Sequence, residues 1–285
     1  MKLISSRDNP LYKRLLRVAD GKRDPAVERG LEGYRVLLEG VHLCQSWLEQ
    51  MGEPELALFD IQRLEAHEEL QALAQALHPD SRISLDPRLS SGLSQVGHGQ
   101  GVYFLVSAPA PELPSVIDHN CLWLDRIQDP GNVGTLLRTA AAAGLRHAYL
   151  SRGCAAAWSA KVLRSAQGAH FALSIHEHVD LPAARGKLRV PLVATSLSDA
   201  TSLYDAELPR NCAWVFGNEG QGVDAELLAR ADLKVFIPQV ENVESLNVGV
   251  AAGVCLFEQR RRAGGLGSDP AWGLTPVPEG SDPTI

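Results

Sequence analysis

DRIQDPGNVGTLLRTAAAAG, residues 125–144, follows directly on the apolar run CLWL at 121–124. The run is short and wholly apolar, as a strand buried on both faces reads, and the Asp129-Pro130 turn leads into a helix expected over 133–143. A strand passing through a tight loop into a helix is the unit from which parallel α/β sheets are built. Reading outward repeats the alternation, with strands expected at 147–150, 172–175, 191–194, 213–216 and 234–237 and helices at 158–167, 225–231 and 246–262. The expected fold is α/β: a mainly parallel C-terminal sheet with helices on both faces.

Upstream, Pro109, Pro111 and Pro114 crowd residues 107–120, a composition that resists helix and sheet and makes a semi-rigid spacer. It divides the chain into a small N-terminal α/β domain (1–107), a linker (108–119), the sheet domain (120–262) and a Gly/Pro/Ser/Asp-rich tail (263–285) expected to be flexible. Within the first domain an amphipathic helix is expected at 10–19, strands at 34–38, 56–59 and 102–106, and helices at 41–51 and 67–77.

Five cysteines, none at CxxC spacing, argue against zinc or a redox dithiol, and no metal site is expected. The N-terminal MKLISSRDNP lacks the apolar stretch of a signal peptide, and no apolar run approaches the roughly 20 residues of a membrane span. A cytoplasmic protein with no membrane partner is the expectation. The net charge of −7 weighs against indiscriminate coating of nucleic acid. The first 35 residues are nevertheless locally basic, Lys13, Arg14, Arg17 and Arg35 among them, which reads either as a solvated helix face or as a nucleic-acid surface.

Ligands of open parallel sheets bind beyond the carboxyl ends of the strands. Three loops there carry unusual residues. In the first, Asn132 is placed to cap the helix, Gly131 and Gly134 allow close backbone approach, and Arg138 is a lone charge in TLLRTAAAAG. The second is VFGNEGQGV at 215–223, glycine-rich but lacking the GxGxxG spacing of a dinucleotide site, which sets aside a nicotinamide oxidoreductase. In the third, IPQVENVESLNVGVAAG at 237–253, Ser245 reads as a helix cap with Asn247 in the first turn.

In order and spacing, these three stretches resemble the motifs of the SpoU (TrmH-like) family of SPOUT RNA methyltransferases, over residues 120–262. NPLYKRLL (9–16) and LLEGVHL (37–43) are similar, less specifically, to the substrate-binding domain such enzymes carry. The resemblance implies a trefoil knot in the catalytic domain and a homodimer formed through the knot region. It also implies S-adenosylmethionine held by Thr195, Ser196, Leu197, Gly217, Asn218, Gly220, Gly222, Ile237, Pro238, Leu246 and Asn247. Catalytic roles fall on Arg138, Asn132, Glu219, Ser245 and Asn247. Arg138 would stabilise the developing alkoxide of a ribose 2′-hydroxyl, since a guanidinium is a poor base. Asn132 would orient Arg138 or the ribose, and Glu219 would position Arg138, from its own or a partner subunit. Lys13, Arg14, Arg17 and Arg35 would contact the RNA, with ribosomal RNA expected ahead of transfer RNA. Glu241 stands where the family commonly has glycine and Gly249 where it commonly has serine, so a noncatalytic RNA-binding protein on the same scaffold is the competing expectation.

Overall fold

The computed structural model describes residues 1–22, 34–94, 99–240 and 245–264. Its strands are β1 (Lys2–Ile4), β2 (Arg35–Glu39), β3 (Leu56–Asp60), β4 (Arg82–Leu85), β5 (Val102–Ser107), β6 (Cys121–Asp125), β7 (His147–Ser151), β8 (Ser174–Val179), β9 (Leu192–Thr195), β10 (Thr201–Ser202), β11 (Ala213–Gly217) and β12 (Leu233–Phe236). The helices are α1 (Pro10–Ala19), α2 (Val41–Met51), α3 (Ile61–Ala66), α4 (Glu68–Gln75), α5 (Pro87–Leu93), α6 (Pro130–Ala142), α7 (Ala160–Ala166), α8 (Leu181–Ala184), α9 (Ala225–Ala229) and α10 (Val248–Arg262). The expectation of a flexible C-terminal tail falls, from residue 265 on, outside the described residues.

Each local sequence explains its element. Asn9 accepts from the amides of Leu11 and Tyr12, Pro10 occupies the first turn, and Tyr12, Leu15 and Val18 form the buried stripe of α1. In the second half, β6 and β11 are buried along their whole length, as strands covered on both faces must be.

The first five strands form a mixed sheet in the order β1-β4-β3-β5-β2, and the other seven form a second sheet in the order β10-β12-β9-β11-β6-β7-β8. Every pairing in the second sheet is parallel. Strand β12 lies between β9 and β10, although those two are joined by only five residues, 196–200. A later strand has therefore entered between two that are consecutive in the chain.

The two sheets share one apolar core. Trp47 of α2 meets Phe171 edge to face at 5.4 Å, and the Tyr34 hydroxyl donates to Glu177 Oε2 at 3.0 Å. The proline-rich stretch between them is docked, not a free spacer. Ala108 and Ile117 are buried, the Ala108 amide donates to Tyr34 O at 2.9 Å, and Ile117 bridges to Leu188. The reason lies in its apolar residues, which bury readily where the prolines leave no ladder to satisfy.

Several boundaries differ from expectation. The helix expected at 67–77 is α4, and a further helix not expected from sequence, α3, precedes it, the two separated at His67, whose backbone is extended. Asp60 starts α3 by accepting from the amides of Gln62 and Arg63. The strand expected at 172–175 begins only at Ser174, after a tight 3-10 turn at Ala169–Ala172. The short strands β1, β4 and β10 carry too few residues for a period to show.

Candidate active site

Because the seven strands run parallel, β6, β9, β11 and β12 end at one edge of the sheet. Phe216 and Gly217 pair with Leu124 and Asp125, and Val235 with Thr195, so the four following loops lie side by side. The candidate cofactor residues at 195–197, 217–222, 237–238 and 246–247 are thereby brought to that edge.

Three side chains join these loops. Asn247 caps α10, its Oδ1 accepting from the amides of Gly249 at 2.9 Å and Val250 at 3.4 Å. Its Nδ2 then donates to Asn132 Oδ1 at 2.9 Å, and Asn132 Nδ2 donates to Glu219 Oε1 at 2.9 Å. The direction of the chain is set from both ends. Backbone amides fix the oxygen of Asn247, and an ionised carboxylate at Glu219 can only accept. Partial burial by itself would raise the Glu219 carboxyl. The donors Asn132, Gln128 N and Asp129 N outweigh it and hold the group below the usual carboxylate range.

This arrangement corrects four expectations. The cap of α10 is Asn247 and not Ser245, which is exposed and bonds to nothing among the described residues. The cap of α6 is Asp129, which accepts from the Asn132 amide at 2.8 Å, so Asn132 sits inside the first turn with its amide free to link the motifs. Within its own chain Glu219 is engaged with Asn132, not with Arg138. The close approaches of Gly134 and Gly217 are internal. A Cβ on Gly134 would meet Val162 O of α7 at 2.8 Å, and one on Gly217 would meet the Val223 amide at 2.1 Å. Asn218 is engaged within its own loop and with the loop after β6. Its Oδ1 accepts from the amides of Gly220 and Gln221, and its Nδ2 donates to Arg126 O.

Beneath this layer lies a clamp that sequence reading missed. Asp125, 4% exposed at the end of β6, accepts from Arg126 Nε at 3.2 Å and Nη2 at 3.0 Å, from the Asp224 amide at 2.8 Å and from Ser151 Oγ at 3.3 Å. It ties the exits of β6, β7 and β11 together. Arg126 adopts a left-handed backbone, φ 56°, which lets its guanidinium fold back onto the preceding carboxylate. The available signal was a charged pair directly at the end of an apolar strand.

Residues 119–257 match the SpoU rRNA Methylase family. The 23S rRNA (guanosine(2553)-2′-O)-methyltransferase RlmP of Bacillus subtilis is 31% identical over 264 residues, covering 91% of this chain and 100% of that relative. The chain belongs to the SpoU family of RNA methyltransferases. A crystal structure of an RNA 2′-O ribose methyltransferase, 27% identical, superposes with a TM-score of 0.73 over 91% of this chain and 98% of its own. The AdoMet-bound rRNA methyltransferase from Sinorhizobium meliloti, at 24% identity, shares the fold with a TM-score of 0.74 over 92% and 98% of the two chains.

The donor set at the sheet edge suits S-adenosylmethionine, with its apolar adenine face and its hydrogen-bonding rim. Leu197 is 77% exposed and Val240 76% exposed, both beside loops whose backbone can read a base edge. Thr195, Ser196, Ile237, Pro238 and Leu246 lie in the same loops. One family departure has a packing explanation. Gly249 sits where α10 crosses α6, and a Cβ there would lie 2.7 Å from Thr135 Cγ2. The threonine methyl fills the volume that a serine at 249 would need. The other departure, Glu241, lies outside the described residues.

Arg138 is exposed on α6 and makes no hydrogen bond or ion pair among the described residues. Six residues on from Asn132, it stands about 9 Å along the helix axis and about a third of a turn around it. It therefore stays apart from the Asn132–Glu219 pair of its own chain. The four expected RNA contacts are split. Lys13 pairs with Asp8 at 2.8 Å, Arg14 lies 3.7 Å from Glu55, and Arg35 is bound to that same Glu55 and to Ser107 Oγ. Arg17 alone of the four is exposed with no side-chain partner among the described residues.

Among the described residues no helix is long and apolar enough to cross a membrane.

Proposed function

We propose that this SpoU-family chain transfers the methyl group of S-adenosylmethionine to a ribose 2′-hydroxyl of ribosomal RNA, and that it does so as a homodimer. The observation that carries this reading is the Asn247–Asn132–Glu219 chain of hydrogen bonds, which locks the three motif loops into one surface at the ends of the parallel strands. The substrate follows the 23S rRNA enzyme that the chain matches along nearly its whole length. Five free cysteines fit a reducing, cytoplasmic setting.

The bound cofactor supplies an electrophilic methyl group on a sulfonium. Everything else falls to the protein. The residues at 195–197, 217–222, 237–238 and 246–247 hold the donor, with Leu197, Ile237 and Leu246 as apolar walls. The insertion of β12 between β9 and β10 supports reading these loops as a trefoil knot. The locked motif surface fixes where the ribose lies, so orientation is prepared before the RNA arrives. A cationic guanidinium at Arg138 stabilises negative charge on the attacking oxygen and holds the adjacent phosphate.

Within one chain Arg138 stands apart from the motif surface, and a dimer resolves this. Helix α10 leaves Val250 (53% exposed) and Phe257 (46%) bare on one face, seven positions apart, and Leu197 and Val240 are bare nearby in sequence to the cofactor loops. A second copy covering these apolar residues would bring one protomer's Arg138 to its partner's cofactor loops. The reading is tested by calorimetric titration with S-adenosylmethionine, by sedimentation to obtain the oligomeric state, and by mapping ribose methylation in RNA from cells with and without the protein. Binding of cofactor, a dimer, and one rRNA position that depends on the protein are expected. RNA binding without any cofactor binding would replace this reading with a noncatalytic one, and a protein-dependent position in transfer RNA would replace the substrate.

A further inference from the structure

A cleft of about 1500 Å³ opens between the two sheets, bounded by α1, β2 and α2 on one side and by the start of α6, α7 and β8 on the other. Small-molecule pockets run to roughly 300–1,000 Å³, so this volume fits a segment of a polymer better than a metabolite.

Its charged lining is close to balanced, and Lys22 and Arg35 are already paired, with Asp20 and Glu55. The lining holds Lys22, Arg35, Lys161 and Arg164 against Asp20, Glu39 and Glu177, in a protein of net charge −7. All three carboxylates are already satisfied. Asp20 is paired with Lys22 Nζ at 2.9 Å, Glu39 accepts from Ser94 Oγ at 2.5 Å, and Glu177 accepts from the Tyr34 hydroxyl and the Ala157 amide. Lys161 and Arg164 are exposed, and their side chains have no partner among the described residues. Three positions apart on α7, they share one face. Tyr34, 40% exposed, offers an aromatic surface in the same cleft. Pro130, the first residue of α6 and two positions from Asn132, also lines the cleft.

We propose that this cleft holds a single-stranded segment of the RNA substrate, with Lys161 and Arg164 on its phosphates and Tyr34 against a base. Single-stranded RNA is the form whose bases are free to stack on aromatic side chains while cations track its backbone. The proposal rests on the function read above. It moves the main RNA contact from α1 and β2, where Lys13, Arg14 and Arg35 are held by carboxylates, to α7.

The test uses full-length Lys161→Gln/Arg164→Gln protein and, independently, Ala156→Glu, which sets a carboxylate at an exposed position of the cleft wall. The acceptor is total RNA from cells lacking the protein, and each variant is also titrated with S-adenosylmethionine. The expected result is a KM for RNA raised about tenfold by the double substitution, with kcat within about twofold and cofactor affinity unchanged. The log–log salt dependence of kcat/KM should flatten by ~1.4, since each phosphate contact on a single strand contributes ~0.7. Ala156→Glu should raise KM in the same direction. Unchanged KM and salt dependence in an active wild-type background would overturn the cleft and leave the methyltransferase reading standing. Loss of cofactor binding in the variants would also overturn it, by showing that α7 acts through the catalytic fold. A wild-type protein that neither binds the cofactor nor methylates that RNA would overturn both.

Discussion

Asn247 Nδ2 lies 2.9 Å from Asn132 Oδ1, across 115 positions of sequence, and this contact ties the third motif to the first. Asn247 is simultaneously the cap of α10, so the helix start and the catalytic surface are set by a single side chain. Capping alone contributes about 1 kcal/mol. The same residue therefore couples the start of α10 to the joining of the motif loops.

Asn132→Ala cuts this chain in the middle and should lower kcat for methyl transfer about 100-fold, a typical cost of losing one preorganised polar group. Asn132→Asp should be worse, since it removes a donor and sets a second carboxylate against Glu219. Glu219→Gln keeps an acceptor for Asn132 and should be milder than Glu219→Ala. Steady-state methyl incorporation for the four variants, with cofactor affinity measured alongside, checks the order.

Asp125 is buried and makes four hydrogen bonds, so Asp125→Ala would leave the Asp224 amide and the Arg126 guanidinium without their acceptor. A loss of about 3 kcal/mol is expected in urea unfolding. Arg126→Gly loses the ion pair but relieves the left-handed backbone, and its loss should be smaller.

Gly249 and Thr135 should be coupled. Gly249→Ala forces a Cβ against the Thr135 methyl and should cost about 1–3 kcal/mol. Thr135→Ala removes the methyl and should recover part of that loss. A double-mutant cycle by denaturant unfolding should show a coupling of at least about 1 kcal/mol, and strictly additive effects would contradict the packing explanation of this family departure.

Stability should fall in mild acid. Burial pushes His170 down to about 4. Its Nε2 lies 2.6 Å from Ala157 O and donates to it, while its buried Nδ1 finds no partner among the described residues. His147 is also pushed down to about 4, by burial and by His119 and His176. In the unfolded chain these groups titrate near 6.5, so the unfolded state binds more protons between the two values. Their contribution is complete above about pH 6.5, declines as the pH falls to about 4, and is level below it. For His170 the span is on the order of 3 kcal/mol. Thermal unfolding across this range should show the decline, and His170→Gln should flatten it.

Much of this was legible in sequence, and the rest was not for physical reasons. The strands of the second sheet are buried on both faces and read as unbroken apolar runs, so β6, β7, β9 and β11 were found within a residue or two. The three motif loops were located because glycine, proline and asparagine at strand exits have specific backbone uses. What those side chains contact was not legible. Asn132 and Ser245 were both assigned caps, because Asp129, Asn132, Ser245 and Asn247 are all competent cap residues and only the backbone decides among them. The Asp125–Arg126 clamp escaped because its partners, Ser151 and Asp224, lie 26 and 99 positions away. Local basicity singles out the first 35 residues, yet Glu55, distant in sequence from Arg14 on α1 and Arg35 on β2, occupies both of these expected RNA contacts.

Transfer of the methyl group to a ribose oxygen under the control of Arg138 is the central claim, and a labelled-methyl assay meets it directly. RNA from cells lacking the protein is incubated with methyl-labelled S-adenosylmethionine and either wild-type or Arg138→Ala protein, then hydrolysed in alkali, which cannot cleave next to a methylated 2′-oxygen. The label should appear in alkali-resistant dinucleotides with wild-type protein and fall at least about 100-fold with a folded, cofactor-binding Arg138→Ala protein. Label recovered in single nucleotides, or full activity without Arg138, would contradict the account.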